Sequence, residues 1–119
     1  MPQLIDAPTS IPVPGGKQID EYVGRANTGT EALSVAHMTA PGGWEEPAQT
    51  PEFDEITLVL RGVVRVEHAG GQLDVGAGQA VITKAGETVR YTTPGADGAE
   101  YVAICVPAFA PELARRADA

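Results

Sequence analysis

Three carboxylates stand close together in the stretch "PAQTPEFDEITLVLRG", Pro47 to Gly62: Glu52, Asp54 and Glu55. They lie in an acidic turn that feeds an alternating apolar strand ending at a glycine. The left half of the stretch has the polar-apolar spacing of a metal-binding loop, yet it holds no histidine. The chain has two histidines in all, His37 and His68, and one cysteine, Cys105. His68 ends "VVRVEH" beside a turn and reads as a solvated residue. His37 lies in "ALSVAHMTA" in line with Leu33, Val35 and Thr39, and its face is either the inside or the outside of the fold. Cys105, in "YVAICVPAF", reads as a small buried hydrophobe, since no base or cation beside it would activate the thiol. Two chemistries follow from these residue types: metal coordination, or proton transfer by a carboxylate alone.

The elements that must position these groups are short strands. "DEITLVLRG" and "VVRVEH" are strands, "AGG" is a turn into "QLDV", and "QAVIT" and "TVRYTT" flank a turn at "KAGE". "AEYVAICVPAF" is a last apolar strand, and "PELARRADA" is a short helical tail with Pro111 at its first position. Gly and Pro, at 14 and 10 copies, favour tight turns over long helices. About eight strands with turn signals roughly every 8 to 12 residues predict an all-β sandwich or small barrel. The length of 119 residues fits one domain with a real core. Residues 1 to 30 form a Pro-rich arm and first edge elements, 31 to 109 the barrel, and 110 to 119 a tail. The arm is expected to pack across the domain or to meet a second subunit.

The net charge of -8 repels phosphate backbones, so no nucleic-acid partner is expected. No apolar run is long enough to span a membrane, and the N-terminus has no signal-peptide pattern. A cytoplasmic location is the expectation.

The glycines carry a resemblance. Gly43 is followed after five residues by Gln49, then Pro51, Glu55 and Gly62. Further on, Gly78 precedes Lys84, Gly86, Val89 and Thr93. This frame resembles the two signatures of the cupins, G-x5-H-x-H-x3-4-E-x6-G and G-x5-P-x-G-x2-H-x3-N. Here Gln49, Pro51 and Val89 stand in place of the three histidines, Lys84 in place of the proline and Thr93 in place of the asparagine. Cupins of the ethanolamine-utilisation type are similar in lacking the histidine pair and keeping the acidic "DE".

The resemblance implies a double-stranded β-helix, or jelly-roll barrel, with a degenerate metal site. Glu55 is then a carboxylate inside an apolar barrel, where desolvation raises its pKa and suits it to acid/base catalysis. Tyr91 would hold a developing oxyanion, and His37 joins the catalytic set if it faces inward. Gln49, Thr57, Val59, Val89, Trp44, Tyr101 and Cys105 are the expected substrate contacts. On the last strand, Tyr101, Ala103 and Cys105 or their neighbours Val102, Ile104 and Val106 face in. The structural alternative for Glu55 is a relic carboxylate hydrogen-bonded to the barrel wall, or a partner of a buried arginine such as Arg90 or Arg61. No cofactor is expected; any divalent metal would have to use His37, Gln49 and Glu55. The function expected is metal-independent acid/base catalysis on a small organic molecule, of isomerase, cyclase, lyase or decarboxylase type. The alternatives are a non-catalytic metabolite-binding or accessory cupin, and a metal-dependent cupin with an unusual ligand set. A homodimer is expected.

Overall fold

The computed structural model describes residues 1–117. Its strands are β1 (Thr9–Ile11), β2 (Gln18–Val23), β3 (Ser34–Ala40), β4 (Trp44–Glu45), β5 (Asp54–His68), β6 (Gly71–Gly76), β7 (Ala80–Thr83), β8 (Arg90–Thr93) and β9 (Ala99–Val106). One short helix follows, α1 (Pro111–Ala114), with proline in its first turn as expected. All strand pairs are antiparallel, in the order β1-β2-β3-β9-β5-β8-β4, with β6 and β7 also on β5. The sheet curls into a jelly-roll barrel.

The two strands expected over 54–68 are one continuous strand. β5 crosses from one sheet to the other: Asp54 to Gly62 pairs with β9, and Val63 to His68 with β6. The corner is Gly62, at φ +78°, where an added Cβ would lie 2.1 Å from the Gly98 carbonyl oxygen. Only glycine meets both conditions.

Alternation along β5 separates inside from outside. Glu55, Thr57 and Val59 are buried, whereas Ile56, Leu58 and Leu60 are exposed. β9 resolves its two alternatives the same way, with Tyr101, Ala103 and Cys105 inside. Val59, Val64, Val66, Val75, Val89 and Trp44 fill one end of the barrel as a packed core. The N-terminal arm lies on its own barrel, because β1 pairs with β2 and β2 with β3. Glu21 on β2 is buried and secures the following turn, accepting hydrogen bonds from the Ala26 and Asn27 N–H groups at 2.9 and 3.0 Å.

Candidate functional site

The other end of the barrel is hollow. Its cavity, lined by Glu55, Gln49, Tyr91, Tyr101 and Cys105 among others, has a volume of about 50 Å³. That is room for roughly four waters or a small organic molecule.

Glu55 enters from the start of β5 and is 8 % exposed. Its pKa is raised to about 7, first by burial and then by the negative charge of Glu46; Lys17 opposes the shift. The buried Thr57 hydroxyl finds no well-formed hydrogen bond, and its contact with Glu55 is the smallest of these effects. The Tyr91 and Thr83 hydroxyls share a hydrogen bond of 2.9 Å. Burial, followed by the charge of Glu55, pushes the Tyr91 phenol far up, so it stays protonated and can donate. The same two causes, in the same order, raise the Cys105 thiol, which rules it out as a ready nucleophile.

Besides Glu21 of β2, three charged residues that sequence reasoning missed line the site: Lys17, Glu46 and Arg116. Lys17, just before β2, is half-buried, and its Nζ lies 4.2 Å from the Trp44 ring centre and 5.4 Å from that of Tyr101. Burial lowers its pKa, against the pull of Glu46 and Glu55. Glu46 follows β4; burial raises its pKa, while Lys17, Arg116 and a hydrogen bond from the Tyr91 backbone lower it. Arg116 comes from the tail, which returns to form a bridge with Gln49. These three lie in segments without strand periodicity, so only their charge, in "GGK", "WEEP" and "ARRA", marks them.

Several expected site residues lie elsewhere. His37 faces outward, because β3 turns Ser34, Ala36 and Ala40 inward; its Nε2 pairs with Glu100 at 3.1 Å. It therefore leaves both the catalytic set and the ligand set. Val59, Val89 and Trp44 are inside the barrel but belong to the packed core, and Thr57 is sealed beneath Glu55. None of the four lines the cavity. Neither arginine proposed as a partner reaches Glu55: Arg90 holds Glu67 through two bonds of 3.0 Å, and Arg61 donates to the Asp97 carbonyl. Glu52 and Asp54 form a solvated lip, paired with Arg115 and Lys84. His68 is exposed at its turn.

The residues present do not fit the metal of histidine-bearing cupins. Gln49, Pro51 and Val89 stand at the histidine places, and among the described residues no three His, Cys, Asp or Glu side chains converge.

The family model described as Cupin domain matches residues 36–105. A protein of Myxococcus xanthus (strain DK1622) named Endoribonuclease YbeY is 45% identical over 104 residues, which make up 87% of this chain and 35% of that protein. The chain thus spans about a third of the length of that curated relative. Among solved structures, a Streptomyces PAC13 variant with uridine matches with a TM-score of 0.75 and 12% identity, covering 98% of this chain and 88% of the other. A putative ethanolamine utilization protein, EutQ, from Salmonella typhimurium LT2 matches with a TM-score of 0.62 and 20% identity, covering 78% and 71%. At these identities the structural likeness carries the fold alone.

Proposed function

The chain belongs to the cupin family, and from that premise we propose that its barrel binds a small organic molecule and moves a proton on it without a metal. Glu55 is the acid and base. The observation that carries this reading is its enclosed carboxyl, whose pKa of about 7 leaves both protonation states populated at neutral pH. As a carboxylate it takes a proton from carbon beside a carbonyl. As the acid it returns the proton to a second position or to a leaving group. Tyr91, kept protonated, and the Gln49 amide are the donors for the oxyanion that develops between these steps. This sequence of events is common to isomerases, cyclases and lyases, while a decarboxylase uses only its second half, protonating carbon after CO2 has left.

The test is hydrogen–deuterium exchange at carbon, followed by NMR in D2O with a panel of small ketones and oxo acids. Wild type is expected to catalyse exchange, and Glu55→Gln to lose about a hundredfold or more. A panel that never exchanges sinks the reading. Metal analysis after incubation with divalent ions is expected to find far less than one ion per chain; a stoichiometric ion would overturn metal independence.

The second reading is a non-catalytic binding module. It is favoured by the Myxococcus relative, in which the matched stretch is a minor part of a longer protein. Ligand-induced stabilisation without turnover is its signature. RNA, suggested by that relative's name, is disfavoured by the net charge of -8. A cytoplasmic homodimer completes the proposal. Support for the dimer is the apolar outer face of β5 and β7, where Ile56, Leu58, Leu60 and Ile82 are exposed. Among the described residues no helix is long and apolar enough to cross a membrane.

A further inference from the structure

We propose that the ligand of this cavity is a small monocarboxylate, its carboxylate seated against Lys17 and Arg116 and its reactive carbon turned toward Glu55. The inference rests on reading the cavity as a small-molecule site, and it supplies the ligand's class.

Several donors facing this cavity lack acceptors. Among the described residues, the buried Arg116 Nε and Tyr101 hydroxyl have no hydrogen-bond partner. Lys17 has no carboxylate within 4 Å there; its ammonium lies over the faces of Trp44 and Tyr101, and the charges of Glu46 and Glu55 act on it from further off. Tyr101 is 2 % exposed, so bulk solvent does not reach its hydroxyl. Buried donors left unpaired are costly, and charged ones more so. All three residues line the same cavity. What the site lacks is an acceptor, and an anionic one suits two cations best.

The remaining walls narrow the choice of anion. Glu46 and Glu55 line the cavity as well, together with Glu21, whose carboxylate the Ala26 and Asn27 N–H groups hold, and they repel any second negative charge. A phosphate dianion is therefore disfavoured, while a single carboxylate matches the planar guanidinium. The narrow free space points the same way. A cationic ligand has no place, because Lys17 already occupies the aromatic faces.

Trp44 is the chain's only tryptophan and carries Lys17 on its ring, so its fluorescence reports on the lysine. The experiment is a titration of the whole chain with propionate, pyruvate and the uncharged isostere propionamide, at constant ionic strength. Both carboxylates are expected to give a saturable change, with propionamide about tenfold weaker or worse. Lys17→Met and Arg116→Met are each expected to weaken carboxylate binding by a similar factor, and the second variant decides if the first does not fold. Glu55→Gln, which removes a negative charge from the cavity, is expected to bind carboxylate at least as tightly as wild type while losing proton exchange. Propionamide binding as well as propionate overturns the inference. So do folded variants that bind unchanged, or no saturable response to either acid. Intact carboxylate binding with no exchange in wild type would sink the proton-transfer reading alone.

Discussion

Glu46 and Glu55 line one cavity, and the charge of Glu46 is, after burial, the largest influence holding the pKa of Glu55 near 7. The two carboxyls come from different segments, one just past β4 and one on β5. Removing the charge of Glu46 lets Glu55 ionise more easily. In Glu46→Gln, the midpoint of the rate-versus-pH profile for proton exchange is expected to move to lower pH. An unmoved midpoint would mean the two groups do not interact across the cavity.

Stability should carry the mark of Glu55 too. Its folded pKa of about 7 lies above the ordinary 4.5, so the unfolded chain releases this proton first as pH rises. The stability it contributes is full below about pH 4.5, declines through the window to about 7, and is gone above it. At about 1.4 kcal/mol per unit, the loss is on the order of 3 kcal/mol. Urea denaturation at pH 5 and pH 8 measures it. Glu55→Gln should flatten the decline and be more stable than wild type at pH 8.

His37 gives the contrasting case. Its pair with Glu100 is on the outer face, with side chains 31 % and 36 % exposed. His37→Ala is expected to leave proton exchange and carboxylate binding unchanged and to cost less than about 1 kcal/mol. A large loss of activity would put the imidazole back in the mechanism.

Gly62→Ala tests the corner of β5. The new Cβ meets the Gly98 carbonyl oxygen at 2.1 Å, and the backbone is already at φ +78°. A loss of roughly 3 kcal/mol or more is expected in chemical denaturation, or failure to fold.

Leu58→Glu tests the proposed dimer. Leu58 is 40 % exposed on β5 and lies opposite Val102 on β9, beside the Ile56–Ile104 and Ile56–Ile82 pairs. Sedimentation is expected to show wild type as a dimer at micromolar concentration and the variant as a monomer. A monomeric wild type would remove the idea.

The barrel was legible because two of its determinants are local. Signature glycines such as Gly62 mark backbone places that other residues reach only with strain, and alternation along "DEITLVLRG" pairs Glu55, Thr57 and Val59 on one face. The candidate site was legible in part. Glu55, Gln49, Tyr91, Tyr101 and Cys105 do line the cavity. Val59 and Val89 share their inward direction but lie in the packed core, since alternation tells which way a side chain points and not how far along the barrel it sits.

From the sequence alone came the fold, the missing histidines and the inward place of Glu55, because spacing and residue type act within a few residues of chain. The tertiary structure alone decided the side of the sheet for His37, since a strand of period two has two faces and only its packing names the inner one. It also decided that Lys17, Glu46 and Arg116 meet. They come from the arm, a loop and the tail, and only closure of the barrel brings residues so far apart in the chain into one cavity.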